Sequence, residues 1–212
     1  MPSPISPKDP QYPHTCQRCG RPITPGQYCP RCADHLAAAA WARNILVDPA
    51  AVILDTETTG LDANAEIVEI SMINIEGETL LDTLVKPKGR IPLAASRIHG
   101  ITATDVMTAP AWPQIHSQVG DMLRVASRIV IYNAAYDLRL LQQTQTLYNL
   151  PPFGIDRSRF ACAMQWYAQF VGEWSARRHR YRWPALDGNH RARGDCLACL
   201  DIIKKMAADK GG

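Results

Sequence analysis

The chain has 212 residues, 46% of them apolar, and a net charge of +3, which allows one packed core of ordinary size plus a small appendage. The longest apolar run, residues 36–42, is far short of the roughly 20 residues that cross a bilayer, and the Pro-rich, polar start lacks the apolar core of a signal peptide. A membrane protein is therefore not expected, residence in the cytoplasm is, and any nucleic-acid partner has to be argued from local charge.

Residues 1–15 read as a disordered leader. Cys16, Cys19, Cys29 and Cys32 then form C-x2-C-x9-C-x2-C. Tight knuckles hold each pair, and Pro25-Gly26 turns the chain between them, so the four thiols can close a tetrahedral site. A segment of this size cannot bury a core, and a structural Zn²⁺ must supply its folding energy. Residues 16–32 are accordingly expected to be a zinc ribbon. The remaining cysteines, Cys162, Cys196 and Cys199, make the count odd, which argues against a disulfide framework.

The Ala- and Leu-rich segment 33–48 reads as a helical connector, helical over 33–46. From residue 49 the pattern changes to that of an α/β domain extending to residue 209. A short apolar run at 51–55, a long, mixed run at 66–75 and a returning segment at 79–85 predict an antiparallel start to a sheet, with Glu76-Gly77-Glu78 as a turn. A loop through residues 97–102 follows. Helices are expected over 112–125, 135–148, 160–171 and 194–208, with a short buried strand at 128–132. Strands followed by strand–helix alternation predict a mixed sheet flanked by helices.

Three acidic elements lie on this frame. Asp55 and Glu57 sit two residues apart at the end of the first strand, where period-2 geometry points both carboxylates to one side. Asp137 falls in the first turn of a helix after the strand at 128–132, with Asn133 before it. His190 precedes Asp195 by five residues, the His in a loop and the Asp in the first turn of the last helix. The buried face of that helix is read as Cys196, Cys199, Leu200, Ile203, Met206 and Ala207, so Cys196 and Cys199 are core residues. Four carboxylates gathered in one place repel one another, and a fold that gathers them needs divalent cations to neutralise them. Residues 174–194 hold six arginines, Arg177, Arg178, Arg180, Arg182, Arg191 and Arg193, against the single acid Asp187. With Tyr181 and Trp183 these could combine phosphate contacts with base stacking.

Together the three elements resemble the three exonuclease motifs of the DEDDh branch of the DEDD 3′–5′ exonuclease superfamily. DTETTG carries Asp55 and Glu57, N-x3-D ends at Asp137, and H-x4-D joins His190 to Asp195; the segment around His99 is similar to the family's stretch between the first two motifs. The resemblance covers residues 51–208. It implies a ribonuclease H-like fold and a 3′–5′ exonuclease using two Mg²⁺ or Mn²⁺ ions, which releases nucleoside 5′-monophosphates, with single-stranded DNA ahead of RNA as substrate. In that reading Asp55, Glu57, Asp137 and Asp195 hold the metals, and His190 takes a proton from the attacking water. Thr58, Leu61, His99, Asn133 and Arg182 are expected to contact substrate. One departure stands out: residues 181–188 run almost directly into His190, where the family usually has a helix of ten or more residues. The alternatives are an RNA-trimming enzyme like oligoribonuclease, or a catalytically weak nucleic-acid-binding adaptor acting through the zinc ribbon. A protein partner for the ribbon is a further expectation, and deletion of residues 1–35 is expected to spare basal turnover.

Overall fold

The computed structural model describes residues 14–209. The expected leader lies outside the described residues as far as residue 13. His14–Thr15 (β1) pairs antiparallel with Pro22–Ile23 (β2). Helix α1 follows from Pro30 to Leu46, so it starts earlier than the expected residue 33 and includes Cys32. Proline at its first position suits a helix start, where the missing N–H has no partner to lose.

Strands β3 (Val52–Thr58), β4 (Ile67–Asn74) and β5 (Thr79–Leu84) form the antiparallel half of the main sheet. Helix α2 (Leu93–His99) occupies part of the expected loop and ends on Gly100, whose φ of 74° is the left-handed cap that glycine adopts without strain. Helix α3 (Trp112–Val125), strand β6 (Ile129–Ile131) and helix α4 (Ala134–Leu147) come next. The helix expected from residue 160 is two elements: Phe160–Cys162 is strand β7, paired parallel to β6, and helix α5 spans Ala163–Val171. A two-stranded hairpin, β8 (Trp174–Ser175) with β9 (Arg180–Tyr181), precedes the last helix, α6 (Ala192–Ala207).

The main sheet has five strands in the order β5-β4-β3-β6-β7, with β3, β6 and β7 parallel. This is the mixed sheet flanked by helices expected of a ribonuclease H-like fold. Alternation along the strands sorts the core into two layers. Val52, Leu54, Ile70 and Met72 pack with Trp112, Val119 and Leu123 of α3 and Leu140 and Leu141 of α4. On the other face, Ile53, Ile73 and Val130 pack with Ala38, Ala42 and Ile45 of α1, Ala163 and Met164 of α5, and Cys196, Cys199, Leu200, Ile203 and Met206 of α6.

Helix α1 is thus a core element. Polar contacts extend its seat to the four-cysteine module. Arg18 donates to both carboxylate oxygens of Asp209 at 3.2 and 2.9 Å. His35 bridges Asp209 and the Phe170 carbonyl and stacks on the Phe170 ring at 4.2 Å. Gly172 lies so close to Arg31 that an added Cβ would stand 2.7 Å from Nε. None of the helices among the described residues is long and apolar enough to cross a membrane.

Candidate active site

The central strand explains most of the site. In β3, Ile53 faces the layer with α6, so Asp55 and Glu57, two and four residues on, point the same way. Asp195, in the first turn of α6, meets them from above. Carboxylate oxygens of Asp55, Glu57 and Asp195 all lie within 4.8 Å of one another. Asp137 approaches from the other side of β3: the Thr56 hydroxyl, facing the layer with α4, donates to its Oδ1 at 2.6 Å. It stands beside the trio and acts on Asp55 through its charge.

Burial and mutual repulsion shift these groups together. Burial, then the charges of Asp137, Glu57 and Asp195, hold the Asp55 carboxyl well above its ordinary range. Glu57 is pushed up to about 8 by burial, with Asp195 and Glu69 adding to it. Burial raises Asp137 to about 7 against the opposing Thr56 hydrogen bond. Asp195 is raised by burial, and the amides of Asn189 and His190, donating to Oδ1 at 3.0 and 3.1 Å, partly offset this. Oxygen donors clustered in this way suit a hard divalent cation.

The loop carrying His190 is tightly built. His190 adopts a left-handed backbone, φ 55°, uncommon for a residue with a Cβ, and its side chain is exposed. Gly188 lies against the Asp195 carboxylate: an added Cβ would stand 2.7 Å from Cγ and 3.1 Å from Oδ2. Gly194 is equally close to the Asn189 amide. Sequence reasoning passed over both glycines, because their constraint comes from neighbours made by folding.

It also missed Glu69. This β4 residue is paired in register with Glu57 and is 4% exposed. Its carboxylate takes Arg191 Nε at 3.1 Å on both oxygens, Nη2 as well, and the Ala192 amide at 2.8 Å. Arg191, counted in the basic cluster from sequence, is committed to this buried partner, and Arg193 donates to the Thr79 hydroxyl at 2.8 Å. The pair clamps the start of α6 to β4, fixing Asp195 relative to Asp55.

Beside the trio lies a pocket of about 450 Å³ lined by Thr58, Gly60, Leu61, Ile98, His99 and Tyr136, among others. Leu61 is 79% exposed, and the Tyr136 hydroxyl donates to the Gly60 carbonyl at 2.9 Å. His99 is buried; its Nδ1 accepts the Ile101 amide at 3.0 Å, so Nε2 carries the proton and donates to the Thr58 carbonyl at 3.2 Å. Burial lowers its pKa. The ring shapes the pocket wall. Asn133 and Arg182 are exposed and lie outside this lining.

Sulfur atoms of Cys16, Cys19, Cys29 and Cys32 lie within 4.8 Å of one another, placed to hold one ion. Although desolvation opposes it, amides of Cys29, Cys19 and Arg18 bring the Cys16 thiol down to about 6. Burial, with the neighbouring thiols, pushes Cys32 up to about 12. Four thiols crowded with one favoured to ionise match the ligand set of structural zinc.

A ribonuclease H-like sheet whose central strand ends in two carboxylates, joined by others from the first turns of α4 and α6, defines a site of the class that performs hydrolysis with divalent metal ions. The comparisons narrow this. The family model described as Exonuclease (RNase_T) matches residues 52–203, so the chain belongs to that exonuclease family. It is 44% identical over 176 residues to the Uncharacterized exonuclease CP81 of Escherichia phage 186, covering 76% of this chain and 89% of that one. It is 34% identical over 104 residues to the DNA polymerase III subunit epsilon of Rickettsia conorii, covering 45% of this chain and 44% of the relative. Among solved structures, Exonuclease X in complex with 5′ overhanging duplex DNA matches with 26% identity and a TM-score of 0.50, over 76% of this chain and 95% of that one. The nuclease domain of 3′hExo, a DEDDh family member bound to rAMP, shares the fold at 18% identity and a TM-score of 0.52, over 76% of this chain and 92% of that one. The protein is a hydrolytic exonuclease of nucleic acids with a DEDDh-type fold.

Proposed function

We propose that the protein removes nucleotides from the 3′ end of DNA, single strands ahead of duplexes, by metal-dependent hydrolysis. The observation that carries this reading is the convergence of Asp55, Glu57 and Asp195 within 4.8 Å, with Asp137 behind Thr56 and a largely apolar pocket alongside. The names of two relatives, a polymerase III epsilon subunit and a nuclease bound to DNA, support DNA as substrate.

In this reading Asp55, Glu57, Asp137 and Asp195 hold two Mg²⁺ or Mn²⁺ ions, which supply charge stabilisation at the phosphate, acidify the attacking water and stabilise the leaving oxygen. The pocket takes the terminal nucleotide, with Leu61 and Ile98 against its base and the Thr58–Gly60 backbone beside its sugar. His190 accepts a proton from the attacking water, a role worth typically ~10² to 10⁴ in rate. Water oxygen bonds to phosphorus, the bond from phosphorus to the 3′ oxygen breaks, and the products are a nucleoside 5′-monophosphate and a strand one unit shorter. The four-cysteine module holds a structural Zn²⁺.

A 5′-labelled oligodeoxynucleotide incubated with Mn²⁺ tests the reading. A ladder shortening from the 3′ end, abolished by Asp55→Ala, is expected; immediate release of the labelled terminal nucleotide without a ladder, or unchanged activity in that variant, would overturn it. Matched ribo-oligonucleotides measure the sugar preference.

A further inference from the structure

Residues 173–183, between α5 and the His190 loop, form an arm. The Arg182 amide donates to the Glu173 carbonyl at 2.7 Å, closing the hairpin, and the Arg178 amide donates to Ser175 at its turn. Trp174 is 56% exposed and Trp183 50%. Trp174 stands edge-on to Tyr181 at 5.3 Å, and the Arg180 guanidinium lies 3.6 Å over the Trp183 ring. No ion pair joins Arg177, Arg178, Arg180 or Arg182 to a carboxylate among the described residues.

Two partly buried hydrogen bonds fix this arm in space. The Tyr181 hydroxyl donates to Asp34 on α1 at 2.7 Å, and the Tyr132 hydroxyl donates to the Pro184 carbonyl at 2.9 Å. Tyr132 directly follows β6, which runs parallel to β3. Pro184, and Trp183 next to it, therefore stand at the same end of the sheet from which Asp55 and Glu57 project.

An anchored hairpin with two half-exposed indoles and four uncompensated guanidiniums, leading to the end of the sheet that carries the acidic site, matches the chemistry of an unpaired strand: π-faces to stack on and phosphates to neutralise. We infer that the arm holds single-stranded DNA on the 5′ side of the scissile phosphate, with Trp183 and Trp174 as stacking platforms and Arg177 and Arg178 on the backbone. Paired bases offer no free faces, so the arm favours unpaired 3′ tails. This inference rests on the proposed exonuclease reading and deepens it.

The test uses the full chain and oligothymidylates in Ca²⁺, with binding followed by fluorescence anisotropy. Trp183→Ala should weaken a sixteen-nucleotide strand by roughly tenfold or more and leave a trinucleotide within twofold; Trp183→Phe should restore most of the loss. The Arg177→Ala, Arg178→Ala double variant should lower the salt slope for the long strand by about 1.4. A long-strand affinity within twofold of wild type with an unchanged slope overturns the inference, as does equal weakening on both lengths or on a blunt duplex. Hydrolysis of the p-nitrophenyl ester of thymidine 5′-monophosphate in Mn²⁺ separates the two readings. It should be equal in wild type and arm variants; its absence in wild type would refute the nuclease reading while the anisotropy still decides the arm.

Discussion

Gly188→Ala is the most demanding test of the site's construction. Gly188 does not have the left-handed backbone that excludes alanine, so the substitution perturbs only through its methyl group. That carbon would lie 2.7 Å from Asp195 Cγ, about 0.7 Å inside ordinary van der Waals contact. Asp195 cannot retreat freely, because α6 is pinned by Cys196, Cys199 and Leu200 in the core and by the Glu69 clamp at Ala192. The carboxylate must therefore rotate away from the Asn189 and His190 amides, or the loop must move with His190 on it. A displacement approaching 1 Å at a reacting centre costs about 10²-fold in rate. Initial rates on a 5′-labelled oligonucleotide, with Mn²⁺ affinity from calorimetry, should show kcat down by about that factor and weaker metal binding, with the thermal midpoint little changed. The exposed neighbour Asp187→Ala should leave both intact. A Gly188→Ala rate within threefold of wild type would refute the claim that this contact sets the position of Asp195.

Removing one half of the clamp should hurt more than its exposed position suggests. Arg191→Ala leaves Glu69 buried beside Glu57 without its cation; because the Arg191 side chain is 48% exposed, the destabilisation should be about 1–3 kcal/mol, at or below the usual range for breaking a buried pair, and the double change with Glu69→Gln should recover part of it by thermal denaturation. Stability of the metal-free active site should fall as pH rises. Glu57 titrates at its ordinary 4.5 when unfolded and at about 8 when folded, so the folded state binds more protons between those values and loses stability as pH climbs through them. Thermal midpoints in Mg²⁺-free buffer should decline from pH 5 to 8, added Mg²⁺ should reverse the decline, and Asp55→Asn should flatten it; a midpoint rising with pH would contradict the assignment. Deletion of residues 1–35 removes Arg18 and His35 from Asp209 and Asp34 from Tyr181, so it should lower the thermal midpoint and reduce turnover on long strands. Unchanged stability would show these contacts to be dispensable.

How much was legible beforehand follows from the range of the interactions. Asp55 and Glu57 were readable as a pair because strand geometry is local and a short apolar run marks where the strand is buried. Asp195 was readable because the periodicity of α6 announces both its start and its buried face, and Cys196 and Cys199 are core residues as that pattern required. Strand β7 was not, since three residues running into an amphipathic helix carry no period of their own. Helix α2 was hidden by its length of seven residues. Glu69 escaped notice because its partner is 122 residues away, and an acid in a strand otherwise reads as one more polar position. The hairpin at 174–181 was masked by its charge, which reads as a solvated loop until Tyr181 is seen to reach Asp34.

Anomalous diffraction from crystals soaked in Mn²⁺ puts the central claim to its most direct test. The account predicts strong density bonded to Asp55, with Glu57 and Asp195 as co-ligands, and a second peak on the Asp137 side of Asp55. Peaks confined to other surfaces, with the Asp55–Glu57–Asp195 cluster unbound at saturating Mn²⁺, would contradict it.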